Sequence, residues 1–444
     1  MLDPRGNPAS TRSAAAIDAS ERGLWRMMSF YGTPVADLDE AIAADPQWLL
    51  PRLMKAGFLL SLTEPSLVPE AQTLLDSADP LIAHANHRER DHLAALQTLA
   101  SGDWQLACDE WQGVLQHHPR DAFALQCAHL FDFYRGDATQ LRGRAQRALA
   151  HWDESDPLRP YVLGHLAFGL EECGQYAEAE DIGRQALAGE AKVPWAIHAV
   201  AHVMEMQGRF HEGSRWMSHW TPDWAQGNGF ASHLGWHHAL FALESLNHTE
   251  ALRLFDDFLR ADPAQITLNR VDAASLLWRL HLLGVDVGTR WQQLAADWNL
   301  SSTHAGFYAF NDLHALLALL GAGQIARAEA WEREVWAGAD RSSGNNRETQ
   351  RALGEPLMRG MLAFARGRFD EAVQRLGEVS GASQRFGGSH AQRDVIAQTQ
   401  LAAAIRSTDR SVAHRLIAER QRLKPGTPLT EHWARQLSQR QAPR

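Results

Sequence analysis

A glycine followed two residues later by an aromatic residue and five residues later by alanine recurs along this chain, and its spacing constrains the fold more than any other feature. The pattern reads Gly102-Asp103-Trp104-Gln105-Leu106-Ala107, Gly174-Gln175-Tyr176-Ala177-Glu178-Ala179 and Gly367-Arg368-Phe369-Asp370-Glu371-Ala372, with weaker copies at Gly136, Gly208, Leu246 and Gly323. Gly102 to Gly136 and Gly174 to Gly208 are each 34 residues apart, while Gly136 to Gly174 and Gly208 to Leu246 are each 38. A period in this range marks stacked supersecondary units, each too small to bury its apolar face alone. Glycine ends a helix in the left-handed conformation and the following aromatic packs back under the turn, so each copy reads as the bend of a helical hairpin. Trp104, Tyr176, Phe210 and Phe369 are therefore expected to be structural. Proline closes some of the helices, at His118-Pro119 and at Asp262-Pro263. No segment alternates with period two and runs of Val, Ile and Thr are missing, so essentially no sheet is expected. Longer loops are expected at 286–289, 338–346 and 381–388, and a break at Pro222 and Gly227-Asn228-Gly229.

At 444 residues the chain exceeds one ordinary core, yet no shift of composition divides it. One continuous repeat domain over 1–444 is expected, with 1–20 an extended N-terminal segment and helical repeats over 21–440. A hydrophobic content of 45% with 22% charged residues is that of a folded chain. The net charge of -10, with no Lys/Arg block, argues against nucleic acid as a partner. No secretory-type apolar leader and no run of 18 apolar residues is seen, which argues against a membrane and for a cytoplasmic protein. Cys108, Cys127 and Cys173 are too few and too far apart for a disulfide framework, and read as thiols in a reducing compartment. Most of the 16 tryptophans are expected to fill the grooves between helices.

Several stretches go beyond a repeat consensus. They are Phe168-Gly169-Leu170-Glu171-Glu172, the run Trp195-Ala196-Ile197-His198-Ala199-Val200-Ala201-His202-Val203-Met204-Glu205-Met206-Gln207-Gly208-Arg209, and Asp272-Ala273-Ala274-Ser275-Leu276-Leu277-Trp278-Arg279-Leu280. Phe310-Asn311-Asp312-Leu313-His314-Ala315 and Gly387-Gly388-Ser389-His390-Ala391-Gln392-Arg393-Asp394 complete the set. Over nearly its full length the chain resembles the tetratricopeptide repeat protein 38 family. The resemblance implies an all-α, tetratricopeptide-like helical-hairpin solenoid, a right-handed superhelix with a concave polar pocket, and brings no biochemical activity with it.

The candidate site is carried by histidines. His198 and His202 are four apart and Glu205 three further on, so one helix face presents all three. The repeat register places them on the first helix of their hairpin, the one expected to line the concave groove. His233 and His237 share a face on the next first helix, whereas His238 points elsewhere and reads as packing. Helix-borne ligands at i, i+3 and i+4 are how bundles hold metals, so His198, His202, His233 and His237 are candidate ligands for zinc or iron. The order is not HExxH, so a zinc-protease base is not at its usual place. The same imidazoles also suit hydrogen bonding to an anion or carbonyl, or plain structural bonding. Asn311, Asp312 and His314 come from a later first helix, with Asn311 or Asp312 alternatively a helix cap. The Gly387-Gly388-Ser389-His390 stretch reads as a loop entering a helix whose N-terminus suits an anion, with Arg393 and Asp394 alternatively paired to a neighbouring repeat. His129 reads as a core histidine. Trp195 and Trp236, crowded by Trp216, Trp220 and Trp224, supply an aromatic wall of the kind found in small-molecule sites.

Three readings follow. The first is a repeat protein with a His/Trp-lined pocket for a small polar molecule or short peptide, using His198, His202, Glu205, His233, His237, Trp195, Trp236, Asn311, Asp312, His314, His390 and Arg393. The second is a metal-dependent, hydrolase-like enzyme in which His198, His202 and Glu205 are the catalytic candidates. The third is an open-groove scaffold for another protein's tail. No motif for nucleophilic catalysis or nucleotide binding is present, and the oligomeric state is open.

Overall fold

In the computed structural model the glycine of each repeat does what its spacing implies. Gly102, Gly136, Gly174, Gly208, Gly323 and Gly367 all have φ between 69° and 96°, and the next residue's amide reaches back to the carbonyl five positions earlier, as in Gln175 to Leu170 at 2.9 Å. This is the Schellman closure. Leu246 adopts the same conformation, φ 58°, without being glycine. The residue after the turn then caps the second helix: Asp103, Asp137 and Asn247 accept from the amides of Leu106, Gln140 and Glu250. One three-residue bend thus ends one helix and starts the next.

The structure describes residues 1–260, 266–298, 300–341 and 344–441; the expected stop at Asp262-Pro263 lies outside them. Among the described residues there is no strand, only the isolated bridges Leu2–Pro8 and Tyr31–Asn228. The chain is an all-α array of tetratricopeptide-like helical hairpins, and its contacts cluster into two compact units.

Unit 1 comprises Met1–Val200, Asp223–Phe230 and Ser343–Asn345. Its helices are α1 (Ala14–Ser29), α2 (Val35–Ala44), α3 (Leu50–Ser61), α4 (Val68–Asp76), α5 (His87–Ala100), α6 (Trp104–His117), α7 (Ala122–Tyr134), α8 (Ala138–Leu149), α9 (Arg159–Glu172), α10 (Tyr176–Gly189) and the first half of α11 (Pro194–Met206). Helix α1 begins inside the stretch expected to be extended, its first turn capped by Ser13. It lies on the first helices of the hairpins, where Trp25 Nε1 donates to Tyr161 Oη at 2.9 Å and Gln126 Nε2 to the Met27 carbonyl at 3.1 Å.

Unit 2 comprises Ala201–Pro222, Ala231–Ser342 and Asn346–Arg444. After the second half of α11 come α12 (Phe210–Trp224), α13 (Ala231–Glu244), α14 (His248–Leu254), α15 (Thr267–Leu282), α16 (Arg290–Asp297), α17 (Ala309–Gly321), α18 (Ile325–Arg341), α19 (Gly344–Thr349), α20 (Glu355–Ala365), α21 (Phe369–Glu378), α22 (His390–Ala404), α23 (Ser411–Leu423) and α24 (Pro428–Gln441). Sequential hairpins pack side by side, α13 on α15 and α15 on α17. The chain's last helices then return: α22 packs on α15 and α24 on α13. That return covers α15 and α13, while α17 is covered by α18 and α20. In α13, α15 and α17 nearly every residue is buried, polar ones included, whereas the second helices keep a solvent face. Polar groups that an open array would show to water are therefore interior.

Three local expectations are corrected. Pro222 lies inside α12, two residues before its end at Trp224, so the helix runs through the proline and stops just after it. The stretch 338–346 is helical over most of its described residues, and 381–388 is mostly a 3-10 turn, Ser380–Phe386. Glycine and serine lower helix propensity without forbidding it, and packing overrides them there.

Candidate functional site

Helix α11 delivers His198, His202 and Glu205 on one face, as its spacing requires, and all three are buried. The half of α11 bearing His198 belongs to unit 1. There the His198 ring packs against Phe168, Trp195 and Phe230, with centroids 4.9, 5.2 and 5.1 Å away. Trp195 Nε1 donates to His129 Nε2 at 3.0 Å, which puts the His129 proton on Nδ1. His129 in turn stacks on His165 with centroids 4.1 Å apart. Burial holds His129 well below the ordinary imidazole range and His165 down to about 3, so both are neutral. Unit 1 thus contains an aromatic cluster with neutral imidazoles built into it.

In unit 2 the second half of α11 and α13 bring His202, His233 and His237 together. Each offers a nitrogen within 4.8 Å of the others. The His202 and His237 rings are 4.4 Å apart, and His233 and His237 4.8 Å with their planes perpendicular. Asp272 holds His233 through Nδ1 at 2.7 Å, while His237 Nδ1 lies 3.4 Å from a Glu205 oxygen without hydrogen-bond geometry. Gln392 Nε2 donates to the other Asp272 oxygen at 3.3 Å. Burial, with the neighbouring imidazoles adding to it, keeps His202 and His237 neutral at ordinary pH.

From Glu205 a chain of charges runs outward. Lys424 Nζ lies 3.4 Å from Glu205 and 3.0 Å from Glu244. Arg420 joins Glu244 at 2.9 Å to Asp394, also at 2.9 Å. Glu205, Glu244, Arg420 and Lys424 are nearly sequestered and Asp394 is half-buried, and a charge buried without such partners would not remain charged. The Arg420, Lys424 and Arg279 charges hold Asp394 far below the usual carboxylate range, while the carboxylates raise Lys424 against the cost of its burial. This network opens on a cavity of about 450 Å³, lined by Arg393, Asp394, Arg415, Glu419, Arg420 and Lys424 together with His390 and apolar residues such as Leu376, Ile396 and Leu423. Four cations and two carboxylates line it, and Glu205 and Glu244, paired with Lys424 and Arg420 from behind, bring the charges into balance, which suits a ligand carrying both signs.

The remaining candidates fall around these two features. Trp236 stacks on His233 with centroids 5.3 Å apart and receives the Arg279 guanidinium on its ring, 5.5 Å away. Arg279 also donates to the Ala391 carbonyl at 2.6 Å and to Ser275. His390 and Arg393 line the cavity. Arg393 donates to the Gly388 carbonyl, and Asp394 pairs with Arg420, so the pairing expected of both is realised by Asp394. The α22 N-terminus is closed by a capping box between Ser389 and Gln392, which uses the donors an anion would need. Asn311 and Asp312 lie inside α17 and do not cap it, since Tyr308 is its N-cap. Burial raises the Asp312 carboxyl well above its usual range, and His314, pushed down to about 4, is bonded through Nδ1 to the Phe310 carbonyl at 2.8 Å. None of these three lines the cavity.

The sequence did not single out Glu244, Asp272, Arg279, Arg420 or Lys424 as site residues. A signal existed for four of them: Glu244, Asp272 and Arg279 are charges in helices rich in apolar residues, and Lys424 is one of only three lysines in the chain.

No family model matches the sequence. Among solved structures the chain is similar to a tetratricopeptide repeat protein from Parabacteroides merdae, at 13% identity over 70% of this chain and 98% of that one, with a TM-score of 0.32. It is similar to a chain of the APC/C hetero-tetramer Cut9–Hcn1 at 12% identity over 98% and 79%, TM-score 0.46. It is also similar to human IFIT1 in a dimer with PPP-AAAA, at 13% identity over 100% and 96%, TM-score 0.40. Among the described residues no helix is long and apolar enough to cross a membrane.

Proposed function

We propose that this chain is a member of the tetratricopeptide repeat protein 38 family that acts as a small-molecule binding protein, taking a compact anionic or zwitterionic ligand into unit 2. The observation that carries the reading is the cavity of about 450 Å³ with four cationic and two acidic side chains on a wall that mixes apolar residues with Ser380, Ser383, His390, Gln398 and Gln400. Its volume suits a small metabolite, and a few convergent charges are what orients such a ligand. A scaffold gripping another protein's tail needs its first helices open to solvent. Their burial in α13, α15 and α17 supports an enclosed site instead. The free thiols, two of them buried, support a reducing, cytoplasmic setting.

The test is thermal unfolding of the full chain with L-glutamate, succinate or inorganic phosphate. A ligand at a hundred times its Kd stabilises the native state by about 2.7 kcal/mol, enough for a rise of several degrees. Arg415 is exposed on the cavity lining and holds no part of the core, so Arg415→Ala is expected to keep the unliganded Tm and lose the rise. If all three compounds leave Tm unchanged, or Arg415→Ala retains the shift, the reading fails.

A further inference from the structure

The cavity reading leaves the buried histidines of unit 2 without a use. Three imidazoles gathered in an interior are a poor choice for packing alone, since apolar side chains of similar volume fill such space without desolvating polar nitrogens. We infer that His202, His233 and His237 form a binding site for one divalent transition-metal ion of the zinc class, distinct from the cavity.

Two features of the geometry point to a metal more than to a hydrogen-bonded cluster. The three nitrogens already lie within 4.8 Å of one another, inside the span from which a small side-chain adjustment brings ligands to one ion. Moreover, Asp272 holds Nδ1 of His233 and Glu205 faces Nδ1 of His237. An imidazole fixed by a carboxylate on one nitrogen, as His233 is by Asp272, presents the other, here Nε2, with its tautomer and ring direction set, and such carboxylate-histidine pairs are the usual second layer of metal sites. The same carboxylates supply negative charge beside the buried cation. An all-imidazole donor set suits zinc over magnesium or calcium, which demand oxygen. Three protein ligands leave a fourth position on the ion.

The site predicts that metal affinity depends on residues that never touch the ion. Full-length protein stripped with chelator and reloaded with Zn²⁺ is expected to retain one ion per chain after dialysis. Asp272→Asn, which keeps shape and removes charge, is expected to weaken binding about 10- to 100-fold in competition with a chromophoric chelator. His202→Gln, His233→Gln and His237→Gln together are expected to abolish it. Since that triple variant removes buried groups and its fold must be checked by circular dichroism, X-ray absorption on the unmodified, Zn²⁺-loaded protein serves as an independent reading. It should show imidazole scattering with Zn–N near 2.0–2.1 Å. No stoichiometric zinc in the wild type, an oxygen-only shell, or stoichiometric zinc surviving in the folded triple variant would each overturn the inference. The cavity reading is untouched by any of these outcomes, because the Arg415→Ala shift with organic or phosphate anions is measured without metal.

Discussion

Burial fixes the protonation of the stacked pair His129 and His165, and with it the acid response of unit 1. An unfolded histidine takes up a proton near pH 6.5, while in the folded chain His165 does so only at about 3 and His129 well below its ordinary range. Between these limits the unfolded state binds more protons, so the stabilisation is complete above about pH 6.5 and is lost as pH falls towards 3. By pH 5 the loss amounts to roughly 2 kcal/mol for His165. Urea unfolding followed by Trp fluorescence at pH 7 and pH 5 should show a falling midpoint, and His165→Gln should make that fall smaller. An equal drop in wild type and variant would mean that other groups carry the acid response. The position of these residues was partly legible: His129 is one apolar-flanked histidine in a first helix, and a core placement follows from register. Its partner His165 was not, because nothing in the sequence indicates that α7 and α9 set the two rings face to face.

At the scale of the element, the repeat bend was the most legible feature of the chain, because it rests on glycine's freedom at one position and on a cap one residue later, both local properties. The first helices were harder, since α13, α15 and α17 are buried on nearly every side, polar residues included, so pattern does not say which face lies against which neighbour. Gly169 shows what determines their approach. It sits in α9 among residues buried on all sides, and a Cβ there would lie 2.5 Å from Cα of Arg142 on α8. The obstruction is backbone and cannot swing aside. Gly169→Ala is therefore expected to force α8 and α9 apart at a cost of about 1–3 kcal/mol, despite alanine's better helix propensity, which alone would favour the variant by about 1 kcal/mol. The urea midpoint read by helix signal at 222 nm decides between them: a gain in stability would show that the hairpin relaxes without loss. This close approach accounts for the glycine in Phe168-Gly169-Leu170, which the residues by themselves presented only as part of a longer resemblance.

For the molecule as a whole, what the sequence concealed is the closure of unit 2, because it depends on pairs formed across great distances along the chain. Lys424 reaches Glu205 across 219 residues and Glu244 across 180, and Arg420 reaches Glu244 across 176. Periodicity reports only on neighbours, so a reader of the repeat expects first helices lining an open groove, and the returning α22, α23 and α24 convert that groove into interior. The charges on α23 are then the fastening of the fold as well as the wall of the cavity. Replacing Arg420 and Lys424 together by Met would leave Glu205, Glu244 and Asp394 without these cations, and a buried pair broken on one side costs about 3–5 kcal/mol. Part of that cost is relieved if the carboxylates take up protons or water enters, and either route loosens the packing of α23 against α11 and α13. Hydrogen exchange of the full-length double variant should accordingly rise steeply in α13, α15 and α22, while α5 to α10 in unit 1 keep their protection. Uniformly faster exchange in both units would show that they unfold as one body, and unchanged exchange in α13 would show that apolar contacts alone hold the returning helices in place.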